Sequence, residues 1–159
     1  MARLVIVRSN SATATSSAVP PAAEPVRAAL LALVSRGEHT GQVSEAALVT
    51  WRRVEAELSP ILGSAGVAAL YRRSLVRARV EGPALAEVYD ATAYAKGFEP
   101  LRYTLSSLSH ADAVVASRAL MWAFWESLTD LISAPLTARL LEPAIRPQAP
   151  EPGKKEATP

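Results

Sequence analysis

Side chains able to carry chemistry are scarce in this 159-residue chain, which has no cysteine, two histidines, scattered acids and one cluster of arginines. The lack of thiols excludes a cysteine nucleophile, a disulfide scaffold and thiolate-ligated zinc or iron–sulfur centres. Two histidines fall short of most histidine-based metal sites. His39 lies between Glu38 and Thr40 in an otherwise featureless segment. Glu126 and Asp130 stand four apart and share one helix face, where two carboxylates can bind a metal or act as an acid/base pair. No Glu-x-x-His motif exists to complete such a site, so a solvated polar face is the preferred reading and no metal or cofactor is expected. Glycine-rich phosphate loops, the Gly-x-Ser-x-Gly elbow and His-Glu-x-x-His are all missing. A non-enzymatic protein is expected.

His110 opens an expected helix after Leu108-Ser109, and a phosphoacceptor role is one reading of it. Helical phosphotransfer domains place that histidine mid-helix, with lysine and glycine just after it. Ala111-Asp112-Ala113-Val114 follows here, so a turn histidine is preferred and a histidine phosphotransfer protein is the lesser alternative.

Arg72, Arg73, Arg77 and Arg79 form the basic cluster. With Arg52 and Arg53 they stand against Glu45, Glu55 and Glu57, whereas residues 81–145 hold four basic and eight acidic side chains. The net charge of +2 therefore hides a body that is basic early and acidic late. Three readings follow, in decreasing order: basic helices packed beside acidic ones, a docking face for an acidic protein partner, and nucleic-acid binding. Only Tyr71 interleaves with the arginines and acids predominate further on, so nucleic acid is disfavoured. Trp51, Tyr71, Trp122 and Trp125, with Phe124 and Tyr103, fall mainly on helical stripes. They are read first as core, and second as the lining of a pocket for a small apolar or heterocyclic ligand.

The elements that must position these residues are helices. Leu4-Val5-Ile6-Val7 is too short for a signal-peptide core of roughly 7–15 residues, and the apolar stretch 113–131 carries Arg118, Glu126 and Asp130. A cytoplasmic protein without a membrane span is therefore expected. Residues 1–42 read as a mostly disordered Ala/Ser/Pro-rich tail with a short helix at 26–35, and 146–159 as a disordered Pro-rich tail. Between them, 43–145 reads as a compact all-α bundle of five to six helices. Ser44 precedes the stripe Ala47, Leu48, Trp51, Val54, Leu58 and Leu62, which Pro60 should end. Gly63 and Gly66 bracket a turn before a helix over 65–80 that Gly82-Pro83 stops. Residues 83–97 read equally as helix or loop. A short helix over 99–108 precedes the best-defined element, capped by Ser109 with Asp112 and carrying Val114, Met121, Phe124, Trp125, Leu128, Leu131 and Ile132, its stripe widened by Val115 and Trp122. Ser133 and Pro135 start a last helix with Leu136, Leu140 and Leu141.

The run Leu58-Ser59-Pro60-Ile61-Leu62-Gly63-Ser64-Ala65-Gly66 through Leu70-Tyr71-Arg72-Arg73-Ser74-Leu75, with Leu128-Thr129-Asp130-Leu131-Ile132 and Leu136-Thr137-Ala138-Arg139-Leu140-Leu141, resembles a small uncharacterised all-helical family of proteobacteria. The resemblance covers about 100 residues and implies bacterial origin and a signalling-type accessory role, with no activity, cofactor or catalytic residue. Physically the run describes a helix–turn–helix corner in which Tyr71 and Leu75 bury against Trp51. The expected function is a bacterial regulatory accessory acting through an unidentified protein partner, with a homodimer as one form of that contact.

Overall fold

Helix follows helix because apolar side chains recur every three or four residues and turn signals separate the runs. A computed structural model describes residues 23–147; of the tails expected at 1–42 and 146–159, the parts 1–22 and 148–159 lie outside the described residues. Six helices make up an all-α bundle there: α1 (Glu24–Val34), α2 (Thr40–Ala78), α3 (Leu85–Ala91), α4 (Glu99–Ser106), α5 (His110–Ile132) and α6 (Ala134–Ile145). None of them is long and apolar enough to cross a membrane.

The folded body starts earlier than Val43. In α1, Pro25 occupies the first turn, where its missing N–H costs nothing, and Val26, Leu30 and Val34 point inward at four-residue steps. Leu30 and Val34 are fully buried, so this helix belongs to the core and is not an appendage of a tail. It runs antiparallel to α5, held by Ser117 Oγ donating to the Val34 carbonyl and by Arg118 reaching the Leu31 carbonyl at 3.5 Å. His39, expected in a disordered stretch, is the N-cap residue of α2.

Helix α2 contains the decisive bend. It starts at Thr40, not after Ser44, which is buried inside it and donates to the Gly41 carbonyl at 2.9 Å. Pro60 does not end it. The break comes at Gly63, whose φ of 76° and ψ of 156° belong to a region that L residues avoid, and Gly66 lies within the helical arm that follows. Across a straight helix, Trp51 and Tyr71 would sit about 30 Å apart. Their ring centroids are 5.1 Å apart, so the arms 40–62 and 64–78 fold back on each other. The expected corner is therefore present, with its hinge three residues beyond the proline.

Residues 83–97 divide: α3 occupies Leu85–Ala91, and turns follow to Gly97. Gly82 precedes this segment against α5, and a Cβ built there would meet the Ala116 Cα at 3.1 Å, so glycine permits the close approach. In α5, Ser109 Oγ accepts from the Asp112 amide at 3.1 Å, as the capping pattern predicts. Ala113, Ala116, Leu120, Phe124 and Leu128 bury one broad face of α5. Val115, Trp122 and Leu131, expected to extend that face, are exposed instead. They lie at the edges of that face, Val115 and Trp122 beside α1 and Leu131 beside the second arm of α2, where the neighbouring helix covers them only in part. Ser133, with φ 89° and ψ 156°, joins α5 to α6, and its carbonyl accepts from the Thr137 hydroxyl at 2.8 Å. Helix α6 continues through Pro143 to Ile145.

The two non-helical corners predict opposite responses. Gly63→Ala should lower unfolding free energy by about 1–3 kcal/mol, because alanine must adopt a glycine backbone. Ser133→Gly should raise it by up to about 1 kcal/mol, because strain is relieved at the other corner. Chemical denaturation of both variants checks the pair.

Candidate functional site

The fold-back of α2 builds an aromatic cluster and, beside it, a cleft. Trp51 comes from the first arm, Tyr71 from the second, Phe98 from the residue capping α4 and Phe124 from α5. Trp51 meets Phe124 edge-on at 4.9 Å and Tyr71 at 5.1 Å, and Tyr71 meets Phe98 at 5.0 Å and 85°. Such edge-to-face pairs add stability beyond the area they bury. Two polar atoms in this cluster, Trp51 Nε1 and Tyr71 Oη, are buried without a hydrogen-bond partner. Burial also pushes the Tyr71 phenol well above its ordinary value, since the phenolate would lose its hydration.

Tyr71 forms one wall of a 390 Å³ cleft between the second arm of α2 and the turns after α3. Ser64, Ala65, Ala68 and Arg72 line one side, Thr92, Ala95, Lys96 and Gly97 the other, and Glu55 closes it from the first arm. Arg72 is held over the Tyr89 ring at 5.2 Å and donates to its hydroxyl at 3.4 Å. Glu55, Lys96 and Phe98 were not singled out by sequence reasoning. Phe98 carried one usable signal, its three-residue spacing from Leu101 after Gly97, but the corner that brings Lys96 and Glu55 to Tyr71 has no local signature.

Of the other candidate aromatics, Trp125 is buried and Trp122 is 40% exposed, with the Arg27 guanidinium stacked 4.1 Å from its ring centre. Among the described residues neither pairs with the rings around Trp51, so the four candidates do not form one pocket. Tyr103, expected on a core stripe, is exposed.

The four clustered arginines also separate. Arg77 reaches across to α5, donating to Ser127 Oγ at 3.0 Å and pairing with Glu126 at 3.2 Å and Asp130 at 3.4 Å. Glu126 and Asp130 are thus an anchor for Arg77 and not simply a solvated face. The same intramolecular logic joins α2 to α4, where Arg52 pairs with Glu99 and Arg102 with both Glu99 and Glu45, each at 3.0 Å. Glu99 first, then Glu45, raises the Arg102 guanidinium further above its already high value. Arg73 and Arg79 remain exposed with no ion pair among the described residues.

Arg73 borders a second concavity, a 260 Å³ groove whose other walls are Leu62, Gly66, Ala69, Leu70 and Leu131. His110 is exposed, and its Nε2–H donates to the Gly37 carbonyl at 3.0 Å, pinning the loop between α1 and α2. No cluster of three or more acidic or histidine side chains able to hold a metal occurs among the described residues. No family model, curated protein or solved structure matches this chain.

The raised Tyr71 phenol has a signed consequence. Folding keeps the phenol protonated, so its contribution is complete below the unfolded tyrosine value and is lost as pH rises past it. Above about pH 10, wild-type stability should fall by up to about 1.4 kcal/mol per pH unit more than that of Tyr71→Phe. Denaturation curves for both proteins at pH 8 and pH 11 measure the difference.

Proposed function

We propose that this chain is a non-enzymatic bacterial regulatory accessory that works in the cytoplasm by protein–protein contact. The carrying observation is the groove beside Leu131, an apolar strip that no described helix covers. Leu131 is 59% exposed, a value unusual for a large aliphatic side chain that a bundle can bury. Leu62, Gly66, Ala69 and Arg73 succeed one another at three- and four-residue steps along α2, and the small Gly66 and Ala69 let a partner backbone come close. Arg73, without an ion pair at its edge, selects an acidic side chain. The fitting partner is an amphipathic helix with an apolar stripe and a flanking aspartate or glutamate. Arg72, which lines the cleft on another side of the arm, and Arg77, paired with Glu126 and Asp130, contribute less to this surface than the sequence suggests.

The resemblance of residues 58–75 to a proteobacterial helical family supports a bacterial setting. The phosphotransfer alternative draws less support, because His110 Nε2 is committed to a backbone carbonyl.

Partner capture by the immobilised full-length chain tests the reading. Leu131→Asp and Arg73→Glu change exposed positions, so both variants should fold, yet each should weaken capture of the same protein by about tenfold or more. Arg79→Glu, outside the groove, should capture normally. Equal capture by all four proteins would sink the proposal.

A further inference from the structure

The second arm of α2 carries two separate faces outside the core. Residues 66, 69 and 73 border the apolar groove, whereas 65, 68 and 72 line the cleft, and the two sets point in different directions on a helix of 3.6 residues per turn. The cleft therefore has to be explained independently of any docked protein.

Its chemistry differs from that of the groove. Ala65, Ala68 and Ala95 give it apolar walls, and Arg72 and Lys96 put two cations at its edge against the single carboxylate of Glu55. Because the backbone breaks at Gly63, a fresh helical arm starts at Ser64 and Ala65, both of which line the cleft, adding the positive end of a helix. The wall residue Tyr71 is 4% exposed and offers the cleft its ring edge, while its hydroxyl is closed off from the cleft and has no hydrogen-bond partner among the described residues. A volume of 390 Å³ falls at the small end of ligand sites.

We propose that the cleft beside Tyr71 binds a small organic carboxylate with an apolar or aromatic body. The carboxylate sits between Arg72 and Lys96 at the start of the second α2 arm, and the body rests on Ala65 and Ala68. Glu55 takes any N–H or O–H that the ligand carries. This site stands whether or not a protein partner docks at Leu131.

Titration of the full-length protein with benzoate, phenylacetate and indole-3-acetate, followed by isothermal calorimetry, tests it, with the corresponding primary amides as neutral isosteres. At least one acid should saturate the protein, and its amide should bind about tenfold more weakly because the charge-assisted bonds are lost. Arg72→Gln should weaken binding of that acid about tenfold without changing the circular dichroism spectrum. Binding of acid and amide with equal affinity, unchanged affinity in Arg72→Gln, or no saturation by any of the three acids would overturn the site. None of these outcomes bears on capture by the groove, so the two proposals fail separately.

Discussion

Everything in this bundle depends on Trp51 meeting Tyr71 across a helix that doubles back on itself. The two residues are separated by about 30 Å of helical path, and only a backbone break near the midpoint can bring them into contact. Gly63 supplies it with a conformation that alanine would resist. Once the arms are folded, Trp51 is fully buried between Tyr71, Phe98 and Phe124, which ties α4 and α5 to the same point. The cleft follows from the same geometry, because Glu55 and Ala68 face each other only when the arms converge. The orphaned Trp51 Nε1 and Tyr71 hydroxyl are the cost of stacking polar-tipped aromatics at the apex of a tight corner.

Charge then fixes what the aromatic cluster leaves adjustable. Arg77 ties the second arm to α5 through two acids and a buried serine, and Arg102 with Arg52 ties the first arm to α4. These pairs are largely exposed, and each adds little by itself in water. Their value is in register: opposite charges meet only in one relative placement of the helices, and the early-basic, late-acidic division is consumed largely inside the molecule.

Much of this architecture was legible in the chain. Stripes at three- and four-residue spacing marked α2, α4, α5 and α6, and Ser109 with Asp112 marked the start of α5, because periodicity and capping are local properties. The end of the first arm was read at Pro60, three residues early, because proline strongly predicts a break, whereas the turn read at Gly63 is where the backbone takes its unusual dihedral angles and Gly66 stays helical. The place of α1 was only partly legible: the helix itself was read at 26–35, but it was assigned to a tail because α5 and α6, which pack on it, lie far away in sequence. Trp122 and Val115 were misassigned for a related reason: spacing says which residues share a face, not whether a neighbour arrives to cover it. The cleft was the least legible of all. Tyr71 was visible as a candidate, but Lys96 and Glu55 join it only through the corner.

The alanine-rich composition acquires a specific role in this setting. Ala113, Ala116, Ala119 and Ala123 recur along the buried side of α5, and Gly82 presses against Ala116 with almost no space to spare. Small residues at these steps let α1, α5 and the corner after α2 approach closely, exchanging large side-chain volume for short interhelical distances. A bundle built that way still has many large aliphatic residues to place, and where one stays in solvent beside a buried neighbour its position is informative. Leu131 and Ile61 are exposed in a chain that can bury Leu128 and Leu58 completely, one helical turn or less away. Core formation does not require them at the surface. Of the two, Leu131 borders the groove along the second arm of α2, and its exposure there is what a docked apolar side chain would relieve.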